Sequence, residues 1–308
     1  MQIDFSEFYS RLAAIGLILV LGFFLGKKKL INTETNRQLT NLLLMIFMPA
    51  SLFAAFPSEY NQSLLNIFCS GLVAGIIVML SLIILSKIIF NRMWTKGEFR
   101  YESQFAIIFN NATFLGYPIV STTFGEAGII AYCGFIIAFN IALFSYGIWL
   151  FERKLSLKLL KSITTNPNII AVILGMIVFL SNLSLPGFIT DSVGFVGNAT
   201  TPLSIICIGF MLSRADLKNV FKKWRMVITA LIQLIIAPVA TFLLLMLLNF
   251  PTEVVNVCVL IQALPTATSL GLFATEYGGN NIESSELVAL STIFSMVTMP
   301  IMVLILLG

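Results

Sequence analysis

The chain has 308 residues, of which 58% are hydrophobic and only 10% are charged. Soluble domains carry about a quarter charged residues, so this composition excludes an ordinary water-soluble protein and indicates one that faces lipid. The chain has no histidine, which excludes zinc sites and catalytic triads built on that residue. It also has no Gly-rich phosphate loop with lysine, so no nucleotide or other cofactor is expected.

Ten uncharged stretches follow one another along the chain, and each predicts a transmembrane helix. A helix needs roughly 20 apolar residues to cross the hydrocarbon core. The strands of a membrane barrel would alternate apolar and polar residues, whereas these stretches are apolar on every side. The sequence therefore predicts an all-α polytopic membrane protein. The stretches are 12–26, 38–58, 60–86, 103–125, 127–151, 162–190, 192–213, 226–252, 254–275 and 287–308.

Lysine and arginine collect in alternate loops. Of the 18 basic residues, 17 lie in the loops after predicted helices 1, 3, 5 and 7, and only Arg11 lies elsewhere. Cytoplasmic loops are enriched in these residues, so both termini are predicted to be extracytoplasmic. The loop at 276–286 breaks the pattern because it is predicted to be cytoplasmic and holds only acids. Since topology explains the net charge of +4, nucleic acid is not an expected partner.

The second half of the chain repeats features of the first at a nearly constant spacing. Pro49 and Pro202 are 153 residues apart, and the pattern Ala-Thr-x-Leu-Gly begins at Ala112 and again at Ala267. Each half has five predicted helices, an odd number, so the second copy must be inverted in the membrane, as in many secondary transporters. The predicted domains are residues 1–151, the first repeat; 152–166, a short cytoplasmic linker; and 167–308, the second, inverted repeat.

Polar residues, glycine and proline interrupt predicted helices 4 and 9 at corresponding positions. Proline breaks a helix, glycine permits the dihedral angles of a break, and matched interruptions indicate a transporter binding site. The N-termini of half-helices suit a carboxylate. The predicted substrate-binding residues are Asn110, Asn111, Thr113, Gly116, Pro118, Asn140, Pro265, Thr266 and Thr268. Weaker candidates are Pro49, Ser51, Thr200, Thr201, Pro202, Gln262 and Ser291.

The same residues also have a purely structural interpretation. Serine, threonine and asparagine often bond across packed membrane helices, and proline and glycine are more frequent there than in soluble helices. A lone polar residue in a span therefore favours packing, whereas the two matched clusters favour binding. The four cysteines are scattered among different spans, and neither a disulfide nor a metal site is expected from them.

The interrupted helices resemble motifs of the auxin efflux carrier family, and the likeness covers essentially the whole chain. The two crossover motifs are Phe109-Asn110-Asn111-Ala112-Thr113-Phe114-Leu115-Gly116-Tyr117-Pro118 and Gln262-Ala263-Leu264-Pro265. The opening of helix 6, Asn166-Pro167-Asn168, is similar to the start of the family's second half. The resemblance implies an elevator-type carrier with helices 1, 2, 6 and 7 as scaffold and helices 3–5 and 8–10 as transport domain. It also implies a substrate at the crossing of helices 4 and 9 and a homodimer formed through the scaffold.

Three functions follow as hypotheses. The first is a secondary transporter for a small organic anion in the cell membrane. Within the resemblance, the chain lacks the long central cytoplasmic loop of the plant members, which implies a prokaryotic-type permease for small carboxylates such as malate or malonate and not for auxin. The second is a sodium-coupled symporter of the bile-acid type, although the acidic ligands it would want are missing between Asn256 and Thr275. The third, a membrane-embedded enzyme or receptor, lacks any recognisable set of paired acids or nucleophile and base.

Overall fold

A computed structural model describes residues 5–57, 59–93, 99–153, 163–214, 221–277 and 279–307 of the chain. Within these ranges the regular structure consists of helices and a single isolated backbone bridge. Several residues of the predicted basic loops lie outside the described residues, as does much of the predicted linker. These are Lys96, Lys154, Lys158, Lys161 and Lys218, and the linker residues 154–162.

The helices follow the predicted spans closely, and π-helical turns interrupt several of them. In chain order they are α1 (Phe5–Lys27), α2 (Thr33–Ala54), α3 (Gln62–Met93), α4 (Arg100–Ile108), α5 (Tyr117–Thr123), α6 (Gly125–Glu152), α7 (Pro167–Leu180), α8 (Gly187–Arg214), α9 (Trp224–Leu247), α10 (Thr252–Gln262), α11 (Ser269–Tyr277) and α12 (Asn281–Leu307). The π turns lie at Leu43–Phe47 in α2, Ala112–Gly116 before α5, Leu143–Gly147 in α6 and Ile232–Ile236 in α9.

Seven of these helices are long and apolar enough to cross a membrane: α1, α2, α3, α6, α8, α9 and α12. The polytopic helical fold is thereby confirmed. The other predicted spans correspond to the shorter α7 and to two interrupted segments, α4 with α5 and α10 with α11. The count of ten spans therefore stays a prediction.

One predicted boundary differs from the structure. The uncharged run 162–190 was predicted to be one span, but α7 ends at Leu180 and α8 begins at Gly187. Asn182 lies between them with a φ of 50°, a left-handed conformation that ends a helix and that asparagine tolerates better than most residues. Pro186 precedes α8 and cannot continue a helix from α7. Apolarity alone did not reveal this turn.

Close helix contacts are made through glycine. A Cβ on Gly22 of α1 would lie 2.4 Å from the Ile206 carbonyl oxygen of α8, and one on Gly209 of α8 would lie 2.2 Å from the Leu19 carbonyl oxygen. The same packing joins α3 to α6, where a Cβ on Gly71 would lie 2.3 Å from the Ala131 carbonyl oxygen. Small residues let membrane helices approach until their backbones touch.

The most deeply buried helices are the two that stop in the middle of the protein. Every residue of α4 from Glu102 to Ile108 is buried, and so is every residue of α10 from Val254 to Gln262. Both breaks are therefore surrounded by other helices and not by lipid, which is the setting in which irregular backbone is tolerated at membrane depth.

Candidate substrate site at two crossing helix breaks

The two breaks pair with each other. Residues 109–111 separate α4 from the π turn before α5, and residues 263–268 separate α10 from α11. The Asn111 N–H donates to the Pro265 carbonyl oxygen at 2.7 Å, and the Ala267 N–H donates to the Phe109 carbonyl oxygen at 2.9 Å. The two strands run antiparallel, with Asn110 opposite Thr266. This pairing satisfies backbone groups that would otherwise be unpaired away from water.

The prolines contribute differently to the two breaks. Pro265 lies inside the second break, where it has no N–H to donate and disfavours a helical conformation of Leu264. Pro118 lies in the first turn of α5, after the first break and the π turn Ala112–Gly116. The prediction of matched interruptions is confirmed, but Pro118 is not inside the first one.

Asn110 and Asn111 each use one end of the side-chain amide on the backbone of a break. The Asn110 Nδ2 donates to the carbonyl oxygens of Ile261 and Gln262 at 2.9 and 2.7 Å, two carbonyls in the last turn of α10, where regular helical hydrogen bonding ends. The Asn111 Oδ1 accepts the Phe114 N–H at 3.2 Å and so caps the segment that follows the first break. Part of the polar pattern therefore holds the crossing together.

Neighbouring helices support the second break. Gln233 of α9 donates from Nε2 to the Leu264 carbonyl oxygen at 2.9 Å and accepts the Thr266 hydroxyl at 2.8 Å. Ser291 of α12 accepts the Thr266 N–H at 3.1 Å. Gln233, Thr266 and Ser291 are fully buried. Their hydrogen bonds place the predicted candidates Thr266 and Ser291 in one buried network around the second break.

Some hydrogen-bonding capacity at the crossing is unused. The Asn110 Oδ1, the Asn111 Nδ2 and both polar atoms of Gln262 are sealed from solvent and have no partner in the part of the chain that the structure describes. Buried polar side chains are normally paired. These amides can therefore take a ligand group, an ion or water without giving up an existing bond.

A cavity of about 520 Å³ opens beside the second break. Thr268 lines it from the break, Thr292 and Glu286 from α12, Asn36 from α2 and Arg214 from the end of α8. Arg214 and Asn36 flank predicted basic loops, so the cavity lies toward the basic face of the molecule. A second cavity of about 360 Å³ lies among α1, α5 and α12, includes Leu264 and Pro265, and has a mainly aliphatic lining.

Arg214 brings a positive charge to the larger cavity, where the sequence had led us to expect only neutral donors. It lies in the last turn of α8, the favourable place for a cation relative to the helix dipole. Glu286 of the same cavity is paired with Lys223, which offsets its negative charge. The cavity can therefore accept an anionic group beside Arg214.

The remaining candidates lie elsewhere or in supporting positions. Ser51 donates to the Gly197 carbonyl oxygen at 2.6 Å and shares a hydrogen bond of 2.7 Å with Thr200, which joins α2 to α8. Asn140 donates to the Ile136 carbonyl oxygen of its own helix at 2.8 Å. Thr113, Pro49 and Thr201 are half-buried, Pro118 is buried, Pro202 is exposed, and Gly116 faces Leu264.

Sequence reasoning missed several residues that the structure places at the site. Gln233 carried a usable signal, because it is an amide inside an otherwise apolar span, as Asn110 is. Tyr132, whose hydroxyl donates to the Ala112 carbonyl oxygen at 3.0 Å, resembles any aromatic core residue. Arg214 and Asn36 looked like ordinary loop and interface residues, and only the folded arrangement brings them to the cavity.

Comparison with known proteins agrees with these features. A family model described as membrane transport protein matches residues 8–156 and 151–303. The chain is 26% identical over 271 residues to an uncharacterized transporter of Methanocaldococcus jannaschii, covering 85% of this chain and 87% of that protein. It is 25% identical over 152 residues to a probable auxin efflux carrier component of Oryza sativa, covering 48% of this chain and 40% of that one. The chain is therefore a membrane transporter, not an enzyme, and it belongs to the auxin efflux carrier family of membrane transport proteins.

Proposed function

We propose that the protein is a secondary transporter that moves a small organic anion, such as malate or malonate, across the cell membrane. The observation that supports this most directly is the cavity of about 520 Å³ beside the second break. Its volume suits a small molecule, since such sites measure about 300–1,000 Å³. Arg214 supplies a guanidinium that can bind a carboxylate through two parallel hydrogen bonds, and Thr268 adds a hydroxyl donor.

The proposed mechanism is elevator-type alternating access. The scaffold comprises α1, α2, α7 and α8, and the transport domain comprises α3–α6 and α9–α12. The cavity lies between these groups, because Asn36 and Arg214 belong to the scaffold while Thr268, Glu286 and Thr292 belong to the transport domain. Both breaks lie within the transport domain, so a substrate held there would move with it past the scaffold.

The proposed domain plan is that of two inverted repeats, residues 1–151 and 167–308. In its support, the bridge joins Asn110 to Thr266 in antiparallel fashion, and these residues are separated by nearly the repeat spacing. The basic loops are proposed to be cytoplasmic and both termini extracytoplasmic. A homodimer through the scaffold is also proposed, and α8 offers Phe188 and Phe195, exposed by 71% and 78%, as apolar contacts.

Flux of labelled dicarboxylates into proteoliposomes tests the proposal. Arg214→Gln should raise the KM by roughly 10- to 150-fold, because a hydrogen bond to a charged group contributes about 1.5–3 kcal/mol. Arg214→Lys keeps the charge but not the two parallel hydrogen bonds, so its KM should lie between those of the unchanged protein and Arg214→Gln. The matched control is Arg37→Gln, which removes a positive charge from the same face, where Arg37 pairs with Glu34 outside the cavity. Equal KM values in Arg214→Gln and Arg37→Gln would contradict the site.

A cation-coupled carrier is the second candidate. The Asn110 Oδ1 and Gln262 Oε1 are buried oxygens without a donor among the described residues, and oxygen ligands suit small hard cations. The described residues contain no group of three or more acidic, histidine or cysteine side chains that could hold a metal ion. Flux measured with sodium replaced by choline separates the two candidates, since a strict sodium requirement would favour the second.

A further inference from the structure

An alternating stack of cations and aromatic rings lies on the basic face, away from the crossing. Lys87, near the end of α3, places its Nζ 5.2 Å from the ring centroid of Tyr146 and 5.6 Å from that of Trp149. Both rings belong to the last turns of α6. These distances are those of cation–π contacts.

The stack continues through two arginines. The Arg153 guanidinium carbon lies 4.7 Å from the Trp149 ring centroid and 4.2 Å from that of Tyr101. Arg100 lies 5.1 Å from the same Tyr101 ring. The stack therefore links the ends of α3, α4 and α6 in the order Lys87, Trp149, Arg153, Tyr101 and Arg100.

Within the described part of the chain, the cations of this stack contact aromatic rings and form no ion pair with a carboxylate. Among the described residues, the ion pairs are Arg37 with Glu34 and Lys223 with Glu286, and none involves the stack. A guanidinium has five N–H donors and can contact a ring while it donates to a ligand; Arg100 uses one of its donors on the Tyr101 hydroxyl at 3.3 Å. Lys87 and Arg153 are also exposed.

The local potential at the stack is positive. Tyr101 precedes the uncharged stretch that begins at Ser103, so its phenol lies outside the membrane-spanning part. Burial raises the pKa of this phenol, but its hydrogen bond with Arg100 and the nearby charge of Arg153 lower the pKa by more, to below its usual range. The same positive potential would favour the binding of an anionic ligand.

An apolar surface leads along α3 to this stack. Leu80, Ile84 and Ile88 are spaced four residues apart and are exposed by 56%, 59% and 52%, so they form one outward stripe. Lys87 lies beside the end of the stripe. Tryptophan and tyrosine are enriched at the level of lipid headgroups, so the stack has the position of a headgroup site and the stripe that of an acyl-chain contact.

We propose that Lys87, Arg100 and Arg153, with Trp149 and Tyr101, bind the phosphate of an anionic phospholipid in the leaflet at the basic face. Basic clusters between membrane helices bind such headgroups. The apolar stripe favours a lipid over a soluble phosphate ester, which shares only the phosphate. This inference does not depend on the transported substrate.

Binding to the purified full-length protein in detergent tests the proposal. The probes are short-chain phosphatidylglycerol, phosphatidylcholine of the same chain length, and glycerol phosphate. Binding of each is followed by native mass spectrometry and by intrinsic tryptophan fluorescence. Phosphatidylglycerol should bind, and the double variant Lys87→Gln/Arg153→Gln should weaken it at least tenfold. Lys87→Arg/Arg153→Lys, which keeps both charges but not the Arg153 guanidinium, should bind more tightly than the double glutamine variant.

The matched control is Lys28→Gln/Arg37→Gln, which removes two positive charges from the same face but none from the stack, and it should change affinity less than twofold. Equal losses in the two double variants would overturn the site as a mere surface-charge effect. Equal binding of phosphatidylcholine would overturn the role of the anionic phosphate, and equal binding of glycerol phosphate would overturn the lipid. If the double variant does not fold, the single variant Arg153→Gln carries the same test.

Discussion

Replacing Asn110 with alanine tests whether this side chain holds the two helix breaks together. The fully buried amide donates to the Ile261 and Gln262 carbonyl oxygens at 2.9 and 2.7 Å. The Gln262 carbonyl would be left unpaired, at about 1–3 kcal/mol. The Ile261 carbonyl loses less, because it still accepts the Leu264 N–H at 3.2 Å. Asn110→Ala should therefore destabilise the protein by about 1–3 kcal/mol beyond the loss of packing.

Asn140→Ala is the matched control because it deletes the same atoms at a residue that is only 3% exposed. The Asn140 amide donates to the Ile136 carbonyl oxygen four residues earlier in its own helix, a carbonyl that ordinary helical bonding also satisfies. Thermal unfolding in detergent, followed by intrinsic fluorescence, should give a Tm several degrees lower for Asn110→Ala than for Asn140→Ala, at about 2–4 °C per kcal/mol. Equal Tm values would refute the role of Asn110 in the crossing.

Two further predictions concern stability. Glu102 is buried beside the uncharged stretch that begins at Ser103. Burial raises the pKa of its carboxyl, although the hydrogen bond from the Asn280 N–H opposes this rise. The contribution of Glu102 to stability is therefore fully present below the unfolded pKa and is lost as pH rises through the folded pKa. Glu102→Gln keeps an acceptor for Asn280 and should raise the Tm more at pH 8 than at pH 5, and an equal change at both would contradict this. Gly209→Ala should lower the stability by about 1–3 kcal/mol, because the added methyl group overpacks against α1. The control is Gly16→Ala, which should not lower the Tm because its added Cβ meets nothing within 4 Å. Similar losses of Tm in the two variants would contradict the close contact.

The long apolar spans could be predicted because lipid imposes a simple rule on sequence. A helix that crosses the membrane must be apolar over most of its length, and this requirement does not depend on its neighbours. The breaks could be predicted as well, since Pro265 and the paired asparagines violate that rule at matched positions. The turn between α7 and α8 was not predicted, because Ser181 and Asn182 carry no charge and so do not interrupt an uncharged run.

The polar support of the site could not be read so directly. Gln233 was missed, whereas Ser291 was among the weaker candidates. Their hydrogen bonds to the second break form only once α9 and α12 pack against it. Arg214 is one of many basic residues near alternate loops. The preference of cytoplasmic loops for lysine and arginine explains all of them equally, so it does not single out the one that reaches the cavity. The sequence shows where a polar residue lies along its own helix. Which polar residues of different helices come together is known only from the folded structure.

The two breaks are paired but supported unequally. Asn110 and Asn111 bond to the backbone of the crossing itself. From other helices, Tyr132 bonds to the segment after the first break, and Gln233 and Ser291 bond to the second. The cavity on the basic face reaches the second break through Thr268. In the proposed inverted repeat the residue that corresponds to Thr268 is Thr113, and the proposed opposite opening would bring Thr113 to a cavity on the other face. Under the proposed elevator motion the crossing would move as one unit with the transport domain, and its backbone hydrogen bonds, Asn111 N–H to Pro265 and Ala267 N–H to Phe109, would not need to break.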